Sequence, residues 1–481
     1  MTNRLVYFVT IFSWFVCLPS VSFGFDFVAI AGWDQQLFPS YIVGTATMKS
    51  NSENSDPNRL GDSNGLIGVE LVAPRSDSKV EVTIECDGFM ETSRFAGRLP
   101  EGGNTYSVFP KIKFRYDRLA ECHQATPATI TYRVKIDNET VQEQNVTVAF
   151  RPIHDCPLKI KVGDAVVDTS FTFATYVNEQ HPYVDKLLRE ALDIGVVEQF
   201  TGYQSNDQAE VMRQVYAIWD LCVARDVRYS SITTTAADSE SILSQHVRLI
   251  ENTVNNQQAN CVDGSVLMVS MLRKIGIDSF LVLVPGHCYL GFYVDEKRER
   301  ILCLENTLVG AAVTLEEGED EGVAEAIAVD NQYERSWASF VRALAVGTSS
   351  FIDNQKKFSS EDEPDYRLID VGSARQRGVL PVPFRGKEEF VAFDHAYSEE
   401  WELTESADMS EEGSDTESEE SEESEESEES EESEESEESE ESEESEESEE
   451  SEESEESEES DGEDWGEEEG DVTSGEDYLE E

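Results

Sequence analysis

No lysine or arginine follows Lys387 in a chain of 481 residues. The carboxylates beyond that point have nothing to neutralise them. Between Glu399 and Glu481 there are 48 acidic residues, against a formal charge of −67 for the whole chain, which leaves the rest near −19. Charge of that sign and size repels phosphate backbones and anionic bilayers, so nucleic acid and lipid surfaces are poor partners. Long apolar runs are missing too. After the N-terminus, no segment approaches the ~20 apolar residues that a helical membrane span needs. Cysteine is sparse, with eight residues and no CxxC pair, which removes the usual zinc frameworks.

What is there begins with MTNRLVYFVTIFSWFVCLPSVSFG. Arg4 precedes an apolar stretch from about Leu5 to Leu18, Pro19 breaks it, and Ser22 and Gly24 stand at the spacing of a signal-peptidase site. Residues 1–24 read as an export signal, which places the mature chain in a secreted or periplasmic setting. Removing Cys17 leaves Cys86, Cys122, Cys156, Cys222, Cys261, Cys288 and Cys303, an odd number, so at least one thiol is unpaired or bonds to another chain. One disulfide is expected among Cys86, Cys122 and Cys156, with no means of choosing the pair.

From residue 25 to about 157, short β-rich runs such as SYIVGTATM, KVEVTIEC and TITYRVKI alternate with Asn, Asp, Gly, Ser and Pro clusters. Such spacing predicts an all-β sandwich. Nothing in it gathers catalytic residue types, so it reads as an accessory module. The period then lengthens to about 3.6. One stripe holds Val184, Leu187, Leu188, Ala191 and Leu192; a second holds Val211, Val215, Ile218, Trp219 and Cys222. SILSQHVRLIEN reads as a third helix carrying His246, a structural residue in that reading. At the other end, Ser-Glu-Glu repeats without a break from Ser418 to Glu459. Residues 398–481 therefore form a low-complexity tail with too little apolar surface to fold. Its carboxylates could gather calcium weakly or attract basic proteins, although a solvated, self-repelling spacer explains the composition as well.

The chemistry gathers around NCVDGSVLMVSML. Asn260 suits a helix N-cap and Asp263 the third position after it, while Val266, Leu267, Val269, Leu272 and Ile275 supply an apolar stripe that Gly276 ends. Cys261 thus stands at a helix start, where exposed N–H groups and the helix dipole favour a thiolate and could hold an oxyanion. The strand DSFLVLV follows, then Pro285-Gly286, then HCYLGFYVD, a turn at EKRER, and ILCLENTLV. If that turn centres on Glu296 or Lys297, His287 stands opposite Glu305 or Thr307, and Glu305 shares its face. A slip of one residue presents Asn306 instead. Cys261, His287 and Glu305 would then supply a nucleophile, its base, and the group that orients the base. The competing view is that Cys261 is one more buried thiol, since cysteine is a common core residue. Zinc held by Cys261, His287 and Cys288 is disfavoured because neighbouring strand residues face opposite ways. No cofactor or metal is expected.

The run QQANCVDGSVLMVSMLRKIGIDSFLVLVPGHCYLGFYVDEKRERILCLENT resembles the core of the transglutaminase-like superfamily in exported bacterial forms. The Cys-Val-Asp, Pro-Gly-His and Leu-Glu-Asn-Thr motifs carry the likeness. Upstream, FTGYQ, RYSSIT and SQHVRLIEN extend it over about 165–350, with 385 as an outer limit. The resemblance implies a papain-like α+β fold with a Cys, His, acid triad on Cys261, His287 and Glu305, although the family's acid is more often Asp. It also implies an acyl-enzyme that acts on amide bonds of proteins or peptides through a thioester, by hydrolysis or by transfer. Because the superfamily contains noncatalytic relatives, the alternative is an extracellular binding or structural protein that reuses the fold.

Overall fold

A computed structural model describes residues 25–49, 56–137, 141–163, 165–231, 239–327, 334–360, 362–384 and 388–392. All of them belong to one compact unit, Met1–Glu402. The signal expected over 1–24 and the acidic tail expected over 398–481 lie outside the described residues. The fold is α+β, with mixed sheets, and no helix among the described residues is long and apolar enough to cross a membrane.

Strict alternation builds the first half. Along Ser78–Cys86, the residues Val80, Val82, Ile84 and Cys86 point inward and their neighbours do not, as a strand with one wet face requires. That strand lies in a five-stranded sheet ordered Gln36–Leu37, Gln142–Phe150, Thr126–Ile136, Ser78–Cys86, Ser93–Leu99. A four-stranded sheet, ordered Phe27–Ala31, Ile67–Val72, Thr105–Phe109, Arg59–Gly61, contributes Val69, Leu71, Tyr106 and Val108 to the same apolar cluster as Val82, Ile84, Ile130 and Tyr132. Each such side chain adds on the order of 1.5–3 kcal/mol when removed from water.

The second half is built around the helix Cys261–Lys274. Every residue from Val262 to Leu272 is buried, so this helix is enclosed on all sides rather than along the single stripe its apolar spacing predicts. Pro182–Ile194 and Gln208–Ala224 pack with it in one core, together with Leu281, Leu290 and Phe292 from the adjoining sheet. That sheet is antiparallel throughout, in the order Ile301–Leu304, His287–Tyr293, Ser279–Val284, Arg367–Asp370. Phe280, Val282, Tyr289 and Cys303 point to its other face, where they meet Phe351 of the helix Glu334–Asn354.

Three expectations are corrected. SYIVGTATM, read as a β-rich run, is mostly the helix Pro39–Thr45, which opens on a proline at its first position. SILSQHVRLIEN is not one helix. Ile242–His246 is a strand, antiparallel to Asp155–Val162, and the helix begins only at Ile250. Ile242 and Ser244 are buried while Leu243 between them is exposed, a period of two that the apolar spacing of the longer segment masks. The disulfide expected among Cys86, Cys122 and Cys156 is absent: all seven described cysteines are free thiols. Cys86 and Cys122 pack in the first core, whereas Cys156 belongs to the second and hydrogen-bonds Thr172 at 3.2 Å. Burial pushes the thiols of Cys86 and Cys156 up, to about 11 and about 12.

The segment after the last helix, Val371–Gln376, runs back across both halves. The Leu380 N–H donates to the Gly44 carbonyl at 2.8 Å and the Val382 N–H to the Thr175 carbonyl at 2.7 Å. Val382 enters the first apolar cluster. Farther on, the Glu388 carbonyl accepts from the Tyr183 hydroxyl at 2.8 Å, and the Val391 carbonyl from Arg225 at 2.7 Å.

Candidate active site

Cys261 is placed by a rigid helix start. Asn260 Oδ1 accepts from the N–H groups of Val262 and Asp263 at 2.8 and 2.9 Å, and Asp263 Oδ2 accepts from the Asn260 N–H at 3.0 Å. This reciprocal capping box satisfies donors that would otherwise be orphaned. Asp263 is buried and further fixed by Arg248, whose N–H and Nη1 each donate to it at 2.7 Å. Burial raises the Asp263 pKa, and the hydrogen bonds from Asn260 and Arg248 offset only part of that. Gly264 N–H donates to the Asn260 carbonyl.

His287 opens its strand directly after a two-residue turn, Pro285-Gly286, with Val284 paired to His287. Gly286 has φ +71°, a conformation that costs little only for glycine. The next hairpin pairs Leu290 with Leu304 and Tyr293 with Ile301. Continued past the ladder, that register sets Thr307 opposite His287 and puts Glu305 diagonally beside it on the same face. Glu305 Oε2 lies 2.7 Å from His287 Nε2, while Oε1 accepts from the Thr307 N–H at 3.2 Å and its hydroxyl at 2.6 Å. With Nε2 committed to Glu305, Nδ1 is the ring nitrogen left for Cys261.

The electrostatics follow from these contacts. Hydrogen bonds to Cys261 and then to Glu305 raise the His287 pKa to about 10, against the opposing effect of burial. Burial pushes the Glu305 carboxyl up, but the hydrogen bonds from His287 and Thr307 outweigh it and hold the group below its usual value. At neutral pH the pair is therefore an imidazolium beside a carboxylate.

Asn306, the alternative partner for His287, turns the other way. Its Nδ2 donates to the Cys261 carbonyl at 2.8 Å and also bonds the Ser265 hydroxyl, while its Oδ1 is buried without a partner among the described residues. One short turn thus sends a carboxylate to His287 and an amide to the peptide of Cys261. Nothing in the local sequence separates these two roles, because they depend on which way a 3₁₀ turn rolls after the strand.

A cavity of about 170 Å³ opens beside Cys261 and His287. Cys288 lines it as well, but it is fully buried. Among the described residues no group of three or more His, Cys, Asp and Glu side chains is arranged to hold a metal ion. No protein-family model matches the chain, and no curated protein matches it.

Proposed function

We propose that this is an exported cysteine acyl-enzyme acting on amide bonds of proteins or peptides, with a papain-like, transglutaminase-like core behind an N-terminal β-sandwich. The observation that carries the reading is the connected series from Cys261 through His287 to Glu305 at the mouth of a cavity.

In this reading the Cys261 sulfur attacks the amide carbonyl carbon. A sulfur nucleophile acts as thiolate, and the imidazolium of His287 supplies its counter-charge. The carbonyl oxygen takes up negative charge within reach of the Cys261 N–H. His287 then protonates the departing amine, which leaves a thioester on Cys261. Water or a second amine attacks that thioester, His287 takes the attacking proton, and the sulfur leaves as thiolate, which restores the starting pair. Glu305 holds the imidazole in the productive tautomer throughout.

The test is the pH dependence of iodoacetamide labelling of the folded, reduced chain, with the labelled cysteine found by mass spectrometry. Selective labelling of Cys261, slowed at least tenfold in His287→Ala, is the expected result. If Cys261 reacts no faster than the buried thiols, or ignores the loss of His287, the fold serves as a noncatalytic binding module instead.

A further inference from the structure

The cavity beside the Cys261–His287 pair has a definite chemical character. Its apolar lining is Leu158, Phe173, Leu243, Leu283 and Val284, beside the polar Ser170 and Gln245; these come from the strands Asp155–Val162, Ile242–His246 and Ser279–Val284 and from the 3₁₀ turn Ser170–Thr175. Two ion pairs stand at its far rim. Arg367 Nε meets Asp168 Oδ2 at 2.7 Å, and Lys159 meets Asp365. Each cation already has its anion, so the rim holds no unmatched charge with which to recruit a charged group. A charged side chain entering this recess would lose its hydration without gaining a counter-ion.

Size narrows the choice further. An engineered cavity of about 150 Å³ lined by aliphatic and aromatic side chains stays dry and takes up benzene. The recess here, about 170 Å³ and mostly apolar in its lining, has room for an isobutyl or benzyl group. Resting on the reading of Cys261 as an acyl nucleophile, we propose that this recess is the acyl-donor specificity pocket. It selects a leucine- or phenylalanine-like residue whose own main-chain carbonyl is attacked. A glutaminyl side chain fills the space less well, because its carboxamide would set polar atoms against the aliphatic wall. The substrate class is thus a peptide cut or transferred after a large apolar residue.

The experiment uses the full reduced chain and four activated esters, the p-nitrophenyl esters of N-acetylglycine, N-acetylleucine, N-acetylphenylalanine and N-acetylglutamate. Nitrophenolate release gives the acylation rate, and mass spectrometry locates the thioester on Cys261. The leucine and phenylalanine esters are expected to react at least tenfold faster than the glycine ester, the scale of one well-filled apolar pocket, and the glutamate ester no faster than glycine. Leu243→Trp fills the mouth of the recess at a half-exposed position. It is expected to bring the leucine-to-glycine ratio below about threefold, a ratio that a general loss of folded protein would leave unchanged. Equal rates for all four esters, with His287-dependent iodoacetamide labelling of Cys261 intact, would overturn the pocket and leave the acyl-enzyme standing. Absence of His287-dependent labelling would overturn both.

Discussion

His287 Nε2 and Glu305 Oε2 are 2.7 Å apart, and the second oxygen of the same carboxylate is held twice by Thr307. The carboxylate is fixed from both sides, and so is the imidazole plane. Glu305→Gln keeps the shape but loses the charge that stabilises the imidazolium. Acylation of Cys261 is expected to slow by roughly 10²- to 10⁴-fold, the range for general acid–base groups, with circular dichroism unchanged. Stopped-flow acylation with an activated ester checks this.

Asn306→Ala removes the amide that joins the Cys261 carbonyl to Ser265. The expected loss of stability is about 1 kcal/mol, the net worth of an ordinary hydrogen bond, measured by urea unfolding. Because the same bond holds the Cys261 peptide, the labelling rate of Cys261 should fall as well. Asn306→Gln, with its longer stem, should restore neither.

Gly347 lets the helix Glu334–Asn354 approach the strand that leads to Glu305. A Cβ there would lie 2.8 Å from the Cys303 carbonyl oxygen and 2.9 Å from the Glu305 nitrogen. Alanine ordinarily gains about 1 kcal/mol over glycine within a helix, but overpacking against backbone costs roughly 1–3 kcal/mol, so the clash should win. Gly347→Ala is expected to lower the melting temperature and slow Cys261 labelling together, because the Glu305 N–H to Ala343 carbonyl bond of 3.0 Å must open.

His154 is buried and its pKa falls to about 4, first through burial and then through the nearby charge of His246, whose ring is 5.1 Å away. The Val247 carbonyl at Nδ1, Glu251 and the His123 ring complete its surroundings. The folded state binds this proton less readily than the unfolded chain, whose histidine titrates near 6.5. Its contribution to stability is therefore whole above about pH 6.5 and is lost as pH falls toward 4. Between pH 7 and 4.5 the native melting temperature should drop more steeply than that of His154→Gln, as differential scanning calorimetry would show.

Local signals carried the parts of the site that are local. The helix start at Cys261 is legible because an Asn and an Asp at capping spacing bracket it, and the shared face of His287 and Glu305 is legible because strand parity follows from turn position. The strand Arg367–Asp370 completes the same sheet but has no local signature, since its partner Ser279–Val284 lies more than eighty residues upstream. A four-residue edge strand with a polar flank leaves no period to read. The strand Ile242–His246 was hidden for a related reason: its pairing partner is Asp155–Val162, and only that contact favours period two over helix. The opposite assignments of Glu305 and Asn306 depend on a turn's rotation, which adjacent residues in a sequence do not encode.

The return of residues 380–382 to Gly44 and Thr175 has a consequence for the order in which the chain can finish folding. Val382 sits in a core whose other fully buried members all precede residue 154, so that core is not complete until nearly 230 further residues have arrived. Closing so long a loop is slow even though each added residue costs little. Until residue 382 arrives that apolar face stays unfinished, and the segment 380–382 acts as its latch.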